Sequence, residues 1–137
     1  MRGETNQVKT QILEVQFQTI GHVENEFDEP TTPGQIRSAE ARIILNPSLV
    51  EGLKGLELCQ RIMVIYYFHR SEGYDLLQHP HGDPSRLKRG VFALRSPRRP
   101  NPIGVTVADL ISIDGNVLCV RGLDALNGTP VLDLKPV

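Results

Sequence analysis

From Arg95 to Gly104 the chain reads Arg-Ser-Pro-Arg-Arg-Pro-Asn-Pro-Ile-Gly, three arginines and three prolines in one stretch between apolar segments. Each proline fixes φ, removes a backbone donor and biases the residue before it toward extended geometry, so the stretch is neither a helix nor a central strand. Its guanidinium groups sit on a stiff, extended support, which suits anion recognition. A solvated edge loop is the plain alternative.

On either side the periodicity is that of strands. Leu13, Val15 and Phe17 alternate with Glu14, Gln16 and Gln18 and predict a half-buried first strand; Ala39, Ala41, Ile43 and Leu45 predict a second. Between them, His22 to Gly34 is acidic and proline-containing and reads as a loop. Leu49, Val50, Leu53 and Leu56 fall at helical spacing within Pro47 to Leu56, where Gly52 and Gly55 limit a helix to a turn or two. Ile62 to Phe68 is a continuous apolar run, predicting a central strand buried on both faces. Ser71 to Lys88 has no sustained period and carries Gly73, Pro80, Gly82 and Pro84, the pattern of a long mobile loop. Arg89 to Ser96 is predicted as a strand running into the arginine-proline stretch. Beyond it, Asp114-Gly115 joins a strand bearing Val105, Val107 and Ile111 to one bearing Val117, Cys119 and Arg121, a strong hairpin signal. Pro130 to Leu134 adds a final short strand.

Six or seven strands with almost no helix predict a mainly β fold, a small antiparallel or mixed barrel with one short helix and long loops. A Rossmann-type nucleotide fold is excluded, since no Gly-x-Gly-x-x-Gly follows a strand. The length of 137 residues fits one domain, read as residues 13–137 after an N-terminal extension over 1–12. No apolar run approaches a membrane span and Met1 to Gln11 is too polar for a signal peptide, so a soluble, cytoplasmic chain is expected. Cys59 and Cys119 lack ligand spacing and are expected to be buried, reduced thiols. A net charge of −1 argues against wholesale nucleic-acid binding, yet the charge is segregated. Glu24, Glu26, Asp28 and Glu29 form an acidic cluster, whereas Arg86, Lys88, Arg89, Arg95, Arg98 and Arg99 make a basic one able to meet phosphates.

A second dense run closes the chain, Asp124-Ala125-Leu126-Asn127-Gly128-Thr129-Pro130-Val131-Leu132-Asp133-Leu134-Lys135-Pro136. Together with Pro30-Thr31-Thr32-Pro33-Gly34, Phe68-His69 and Arg95 to Gly104, in that order, it resembles the TsaA-like (YaeB-like, TrmO) family of tRNA methyltransferases. The resemblance covers Phe17 to the end. It implies a β-barrel, S-adenosyl-L-methionine as cofactor, tRNA as partner and a homodimer, with no metal and no membrane. The implied reaction is methyl transfer to N6 of threonylcarbamoyladenosine next to the anticodon. By motif position, the implied cofactor contacts are Pro30, Thr31, Thr32, His69, Arg70, Arg95, Val105, Asp124, Ala125, Leu126 and Asn127. This chain departs from the pattern at Thr31-Thr32 (Arg-Gln in the family), Arg70 (Gln) and Asn127 (Asp), and Arg70 is a candidate for the cation that Thr31 does not supply. Arg95 suits the methionyl carboxylate and Asp124 the ribose hydroxyls or the amine. The accepting nitrogen is weakly nucleophilic, and either His69 or Asp124 can serve as its base. Arg86, Lys88, Arg89, Arg98 and Arg99 are the candidate RNA contacts, with Tyr66, Tyr67 or Tyr74 available to stack on a base.

Duller readings stand beside these. His69 can be a structural histidine, Asp124 and Asn127 can shape a turn before Gly128, and Asp133 with Lys135 can be a surface pair. Two other classes remain open. His79-Pro80-His81 offers two imidazoles to a metal, and the basic cluster alone fits a noncatalytic RNA-binding barrel.

Overall fold

The computed structural model of the chain describes residues 11–30 and 33–137. Six strands close into a barrel: β1 (Gly21–Glu24), β2 (Glu40–Leu45), β3 (Arg61–Tyr67), β6 (Ile103–Asp114), β7 (Val117–Arg121) and β8 (Pro130–Pro136). Their order around the wall is β1-β2-β7-β6-β3-β8, and every neighbouring pair is antiparallel, so the barrel is antiparallel rather than mixed. Two two-residue strands, β4 (Leu77–Gln78) and β5 (Arg89–Gly90), pair outside it. One α-helix, α1 (Pro33–Ser38), follows β1. Closure leaves each barrel strand with a neighbour on both sides and points alternate side chains inward. The inward set, with Val23, Ile43, Ile62, Val64, Leu118, Val120 and Val131 fully buried, is the core. Among the described residues no helix is long and apolar enough to cross a membrane.

Several local expectations need correction. Residues 11–19 join no ladder, and Leu13, Val15 and Phe17 are exposed despite their alternation. The first strand lies instead in the segment read as a loop. Gly21 opposes Leu45 so closely that a Cβ there would strike the Ile44 carbonyl oxygen, and this pairing of β1 with β2 requires the absent side chain. The turns after Asn46 are 3₁₀, over Pro47–Leu53 and Leu56–Leu58, with the Asn46 side chain accepting from the Ser48 N–H at 3.1 Å and Gly55 at φ +93° separating them. β3 is not buried on both faces: Ile62, Val64 and Tyr66 point in, while Met63 and Ile65 are half-buried and Tyr67 is exposed. Arg89 to Ser96 contributes only β5 before turning through a 3₁₀ segment at Val91–Ala93. Cys59 and Cys119 are free thiols and half-buried rather than buried.

The hairpin at Asp114-Gly115 forms as expected, with Asp114 opposite Val117 and Gly115 at φ +60°. Along β6 the apolar residues Ile103, Val105 and Val107 face outward, and Gly104, Thr106 and Ala108 face in. The reason is volume. The interior beside Gly104 is filled by the rings of Tyr66 and Phe68, which meet edge to face with centroids 5.5 Å apart.

Candidate functional site

The arginine-proline stretch is stitched to the segment that follows β3. The Phe68 N–H donates to the Pro102 carbonyl at 2.8 Å, the Ser71 hydroxyl to the Pro97 carbonyl at 2.9 Å, and the Gln78 amide to the Arg98 carbonyl at 2.6 Å. Residues 71–88 are irregular, as expected, but tied down by these bonds and by the β4–β5 pair.

The stretch's three arginines have different duties, which composition alone does not distinguish. Arg98 donates to the Glu72 carbonyl at 3.0 Å and pairs with the Asp75 carboxylate at 3.1 Å. Arg99 donates to the Leu94 carbonyl at 2.9 Å and the Ser96 carbonyl at 3.3 Å. Both guanidinium groups brace the loop. The Arg95 side chain is exposed and makes no hydrogen bond or ion pair among the described residues, as is true of the side chains of Arg86, Lys88 and Arg89.

The C-terminal run is held by a buried tyrosine. The hydroxyl of Tyr66, a residue 3% exposed, donates to the Asp124 carbonyl at 2.9 Å and lies 2.8 Å from the Thr106 hydroxyl. A phenol has one proton and a carbonyl only accepts, so Thr106 donates to Tyr66. Burial pushes the Tyr66 hydroxyl above the ordinary tyrosine range; the Thr106 bond opposes this, the Asp124 charge adds to it and the Arg95 charge opposes it. Arg95 and Asp124 thus lie near one buried hydroxyl with opposite charge, and the Asp124 carboxylate, exposed, is itself unbonded among the described residues.

Asn127 is occupied differently from expectation. Its carbonyl oxygen accepts from the Asn25 N–H at 3.1 Å, its amide donates to the Asp28 carboxylate at 3.0 Å, and its own N–H donates to the Phe27 carbonyl at 2.8 Å. Asn25 in turn donates to the Ala125 carbonyl at 2.9 Å. This network clamps the acidic segment 25–28 against the run 124–128. Arg70 clamps it from the other side, donating to the Asp28 carbonyl and pairing with Glu29 at 3.1 Å, so its charge is already met by a carboxylate. Gly128, at φ +84°, completes the turn in which the Thr129 hydroxyl donates to the Leu126 carbonyl at 2.7 Å. Lys135 and Asp133 pair on the surface at 3.0 Å.

The sequence-derived residues therefore divide. The Asp124 backbone is bonded to Tyr66, and the charges of Asp124 and Arg95 both act on that hydroxyl. His69 is exposed in the turn after β3, two residues beyond the end of the strand that carries Tyr66, with no bond among the described residues. Ala125 is buried, Leu126 half-buried and Pro30 exposed. Val105 lies on the opposite face of β6 from Thr106, opposite Ile65 of β3. Thr31 and Thr32 lie outside the described residues. Among those described, no group of three or more His, Cys, Asp or Glu is placed to hold a metal, and the His79 ring contacts the Arg86 carbonyl at 2.7 Å instead. Sequence reasoning missed Asn25 and Thr106; the opposite parity of Tyr66 and Tyr67 called for core packing of at least one of them, and Tyr66, in step with Ile62 and Val64, is the one inside. A depression of about 560 Å³ lies elsewhere, between the ends of β1, β2 and β8, and carries no charged pair.

Tyr66→Phe keeps the ring and removes the bond to Asp124. It is expected to lower stability by about 1–2 kcal/mol near neutral pH. Because the folded state raises this hydroxyl's pKa above the unfolded value of 10.0, its stabilising contribution is complete below that value and lost as pH rises through the folded one. Denaturation midpoints at pH 8 and 11 check this: the Phe variant should lose less stability between them than the natural protein.

Comparisons with known proteins bear on the family and the barrel fold. The family model for the tRNA-methyltransferase O N-terminal domain matches residues 20–137. A probable S-adenosyl-L-methionine-binding protein of Methanothermobacter thermautotrophicus is 39% identical over 127 residues, covering 90% of this chain and 90% of that protein. One from Pyrococcus abyssi is 41% identical over 128 residues, covering 90% of this chain and 68% of that protein. The human tRNA (adenine(37)-N6)-methyltransferase is 42% identical over 98 residues, 69% of this chain and 21% of its own length. A crystal structure of TrmO superimposes with a TM-score of 0.74 at 32% identity over 91% of this chain, and one from Pseudomonas aeruginosa with 0.70 at 31% over 93%. The chain spans 58% and 57% of those two solved chains.

Proposed function

The chain belongs to the tRNA-methyltransferase O N-terminal domain family, and from that premise we propose that it transfers a methyl group from S-adenosyl-L-methionine to N6 of threonylcarbamoyladenosine beside the anticodon of tRNA. The observation that carries this reading is that Arg95 and Asp124 are exposed, unbonded and opposite in charge, and both charges act on the Tyr66 hydroxyl, while Arg98 and Arg99 are engaged within the loop. A guanidinium matches the methionyl carboxylate and a carboxylate matches an amine or ribose hydroxyls, so the residues present fit the cofactor. When bound, S-adenosyl-L-methionine supplies an electrophilic methyl on a sulfonium. The chain's part is to orient and to hold a proton. Arg95 and Asp124 fix the cofactor so that the acceptor nitrogen approaches in line, and His69 or Asp124 takes the proton the nitrogen loses. His69→Asn separates these roles: a lower kcat with cofactor affinity kept assigns the proton to His69, and an unchanged kcat assigns it to Asp124.

Two further parts of the proposal rest on surface chemistry. Ile103, Val105, Val107 and Tyr67 expose about 40% of their areas on the outer face of β6 and β3, an apolar stripe that a closed barrel cannot bury by itself. It supports a homodimer in which two such faces meet. Residues 13–137 act in this reading as one domain, in the cytoplasm with its tRNA.

The test is calorimetric titration with S-adenosyl-L-methionine, followed by transfer of labelled methyl to tRNA with and without threonylcarbamoyladenosine. Micromolar binding and transfer only to the modified tRNA are expected. Transfer to unmodified tRNA would replace the acceptor, and absence of cofactor binding both alone and with tRNA would overturn the reading.

A further inference from the structure

Beside the arginine-proline stretch, Phe92 exposes 79% of its surface in the Val91–Ala93 turn. This ring is held out by a built support. Val91, its neighbour, is 1% exposed, the Val91 N–H donates to the Leu76 carbonyl at 2.8 Å, and the Leu94 N–H returns to the Val91 carbonyl at 3.1 Å. The side chains of the preceding Arg86, Lys88 and Arg89 are exposed and make no hydrogen bond or ion pair among the described residues. An exposed aromatic face beside unpaired cations is what a single-stranded nucleic acid needs, since the cations track phosphates and any base can stack on the ring. We propose that Phe92 is a stacking platform for an unpaired base of RNA, seated beside the phosphates that Arg86, Lys88 and Arg89 attract.

The inference deepens the tRNA reading above and rests on it. Charge favours RNA over a second copy of the chain as occupant. The carboxylates of Glu24, Glu29, Glu40, Asp75 and Asp133 are already paired with Arg42, Arg70, Arg121, Arg98 and Lys135, whereas the cations around Phe92 are not. Free carboxylates remain elsewhere on the chain, Glu26, Glu51 and Glu72 among them, but they are scattered, whereas a nucleic acid offers a phosphate at every nucleotide. An unpaired base is required as well, because a base inside a duplex has no open face to offer.

The chain has no tryptophan, so Phe92→Trp places a single reporter at the site. The full chain is titrated with an anticodon stem-loop RNA and with a blunt RNA duplex of equal charge. Fluorescence of the introduced indole is expected to be quenched by the stem-loop and not by the duplex. Phe92→Ala is expected to bind the stem-loop about five- to one-hundred-fold more weakly with duplex binding and thermal unfolding unchanged, and Phe92→Trp to restore affinity. Equal stem-loop affinity of the Ala variant and the natural protein overturns the proposal, as does a chain that binds neither RNA. A reporter emission that shifts to the blue with protein concentration in the absence of RNA also overturns it, assigning the ring to a contact between copies. A parallel cofactor titration keeps the two readings apart: cofactor binding with Phe92 silent toward RNA removes this proposal and leaves the methyltransferase.

Discussion

Arg95→Ala and Asp124→Ala are each expected to weaken S-adenosyl-L-methionine binding about tenfold to a hundredfold, the loss attached to one charge-assisted contact. Folding should hardly change. Both side chains are exposed and bond to nothing else among the described residues, so unfolding midpoints should shift by no more than about 0.5 kcal/mol. Arg98→Ala is the internal control, since its guanidinium braces Glu72 and Asp75 and its ion pair is exposed. Calorimetry on the three variants checks the assignment; natural affinity in either of the first two would place the cofactor elsewhere.

Gly104→Ala should damage fold and site together. A Cβ at this position lies 2.7 Å from Tyr66 Cε2 and 2.7 Å from Phe68 Cζ. Phe68 can swing by a few tenths of an ångström. Tyr66 cannot move so readily, because its ring is in the core and its hydroxyl is bonded to Thr106 and to the Asp124 carbonyl. Overpacking of this kind costs about 1–3 kcal/mol, and the ring displacement that relieves it also moves Asp124. The expected result is a lower denaturation midpoint together with weaker cofactor binding. Tyr66→Phe with Gly104→Ala should recover part of the stability, since a phenyl ring without its hydroxyl tether is free to shift; no recovery would mean that the tether is not what opposes the extra methyl.

Much of the barrel is legible in the chain. The Ala39 to Leu45 alternation, the apolar run of β3, the Asp114-Gly115 hairpin and the final strand all lie where period two and turn chemistry put them. The failures have a common origin in pairing. Leu13, Val15 and Phe17 alternate well yet join no ladder, while Gly21–Glu24 forms a strand on weak local signal because β2 and β8 supply its partners. Alternation along β6 is likewise real but says nothing about which face is inside. Only the bulk of Tyr66 and Phe68 decides that the small residues point in and the valines out.

The site divides along the same line. The ordered motifs by themselves determined the family and the barrel class and singled out Arg95 and Asp124 as candidates, because residue identity and spacing carry chemistry that survives without coordinates. The tertiary structure alone decided what each polar group does. Three arginines in one loop are equivalent as sequence, but Arg98 and Arg99 find carbonyls and a carboxylate within reach and Arg95 does not. Asn127 and Arg70, expected to contact the cofactor, also clamp residues 25–29, since segments distant in the chain are brought together by β1 pairing with β8. A hydrogen bond depends on distance and direction in space, and those are properties of the closed barrel rather than of any stretch of its chain.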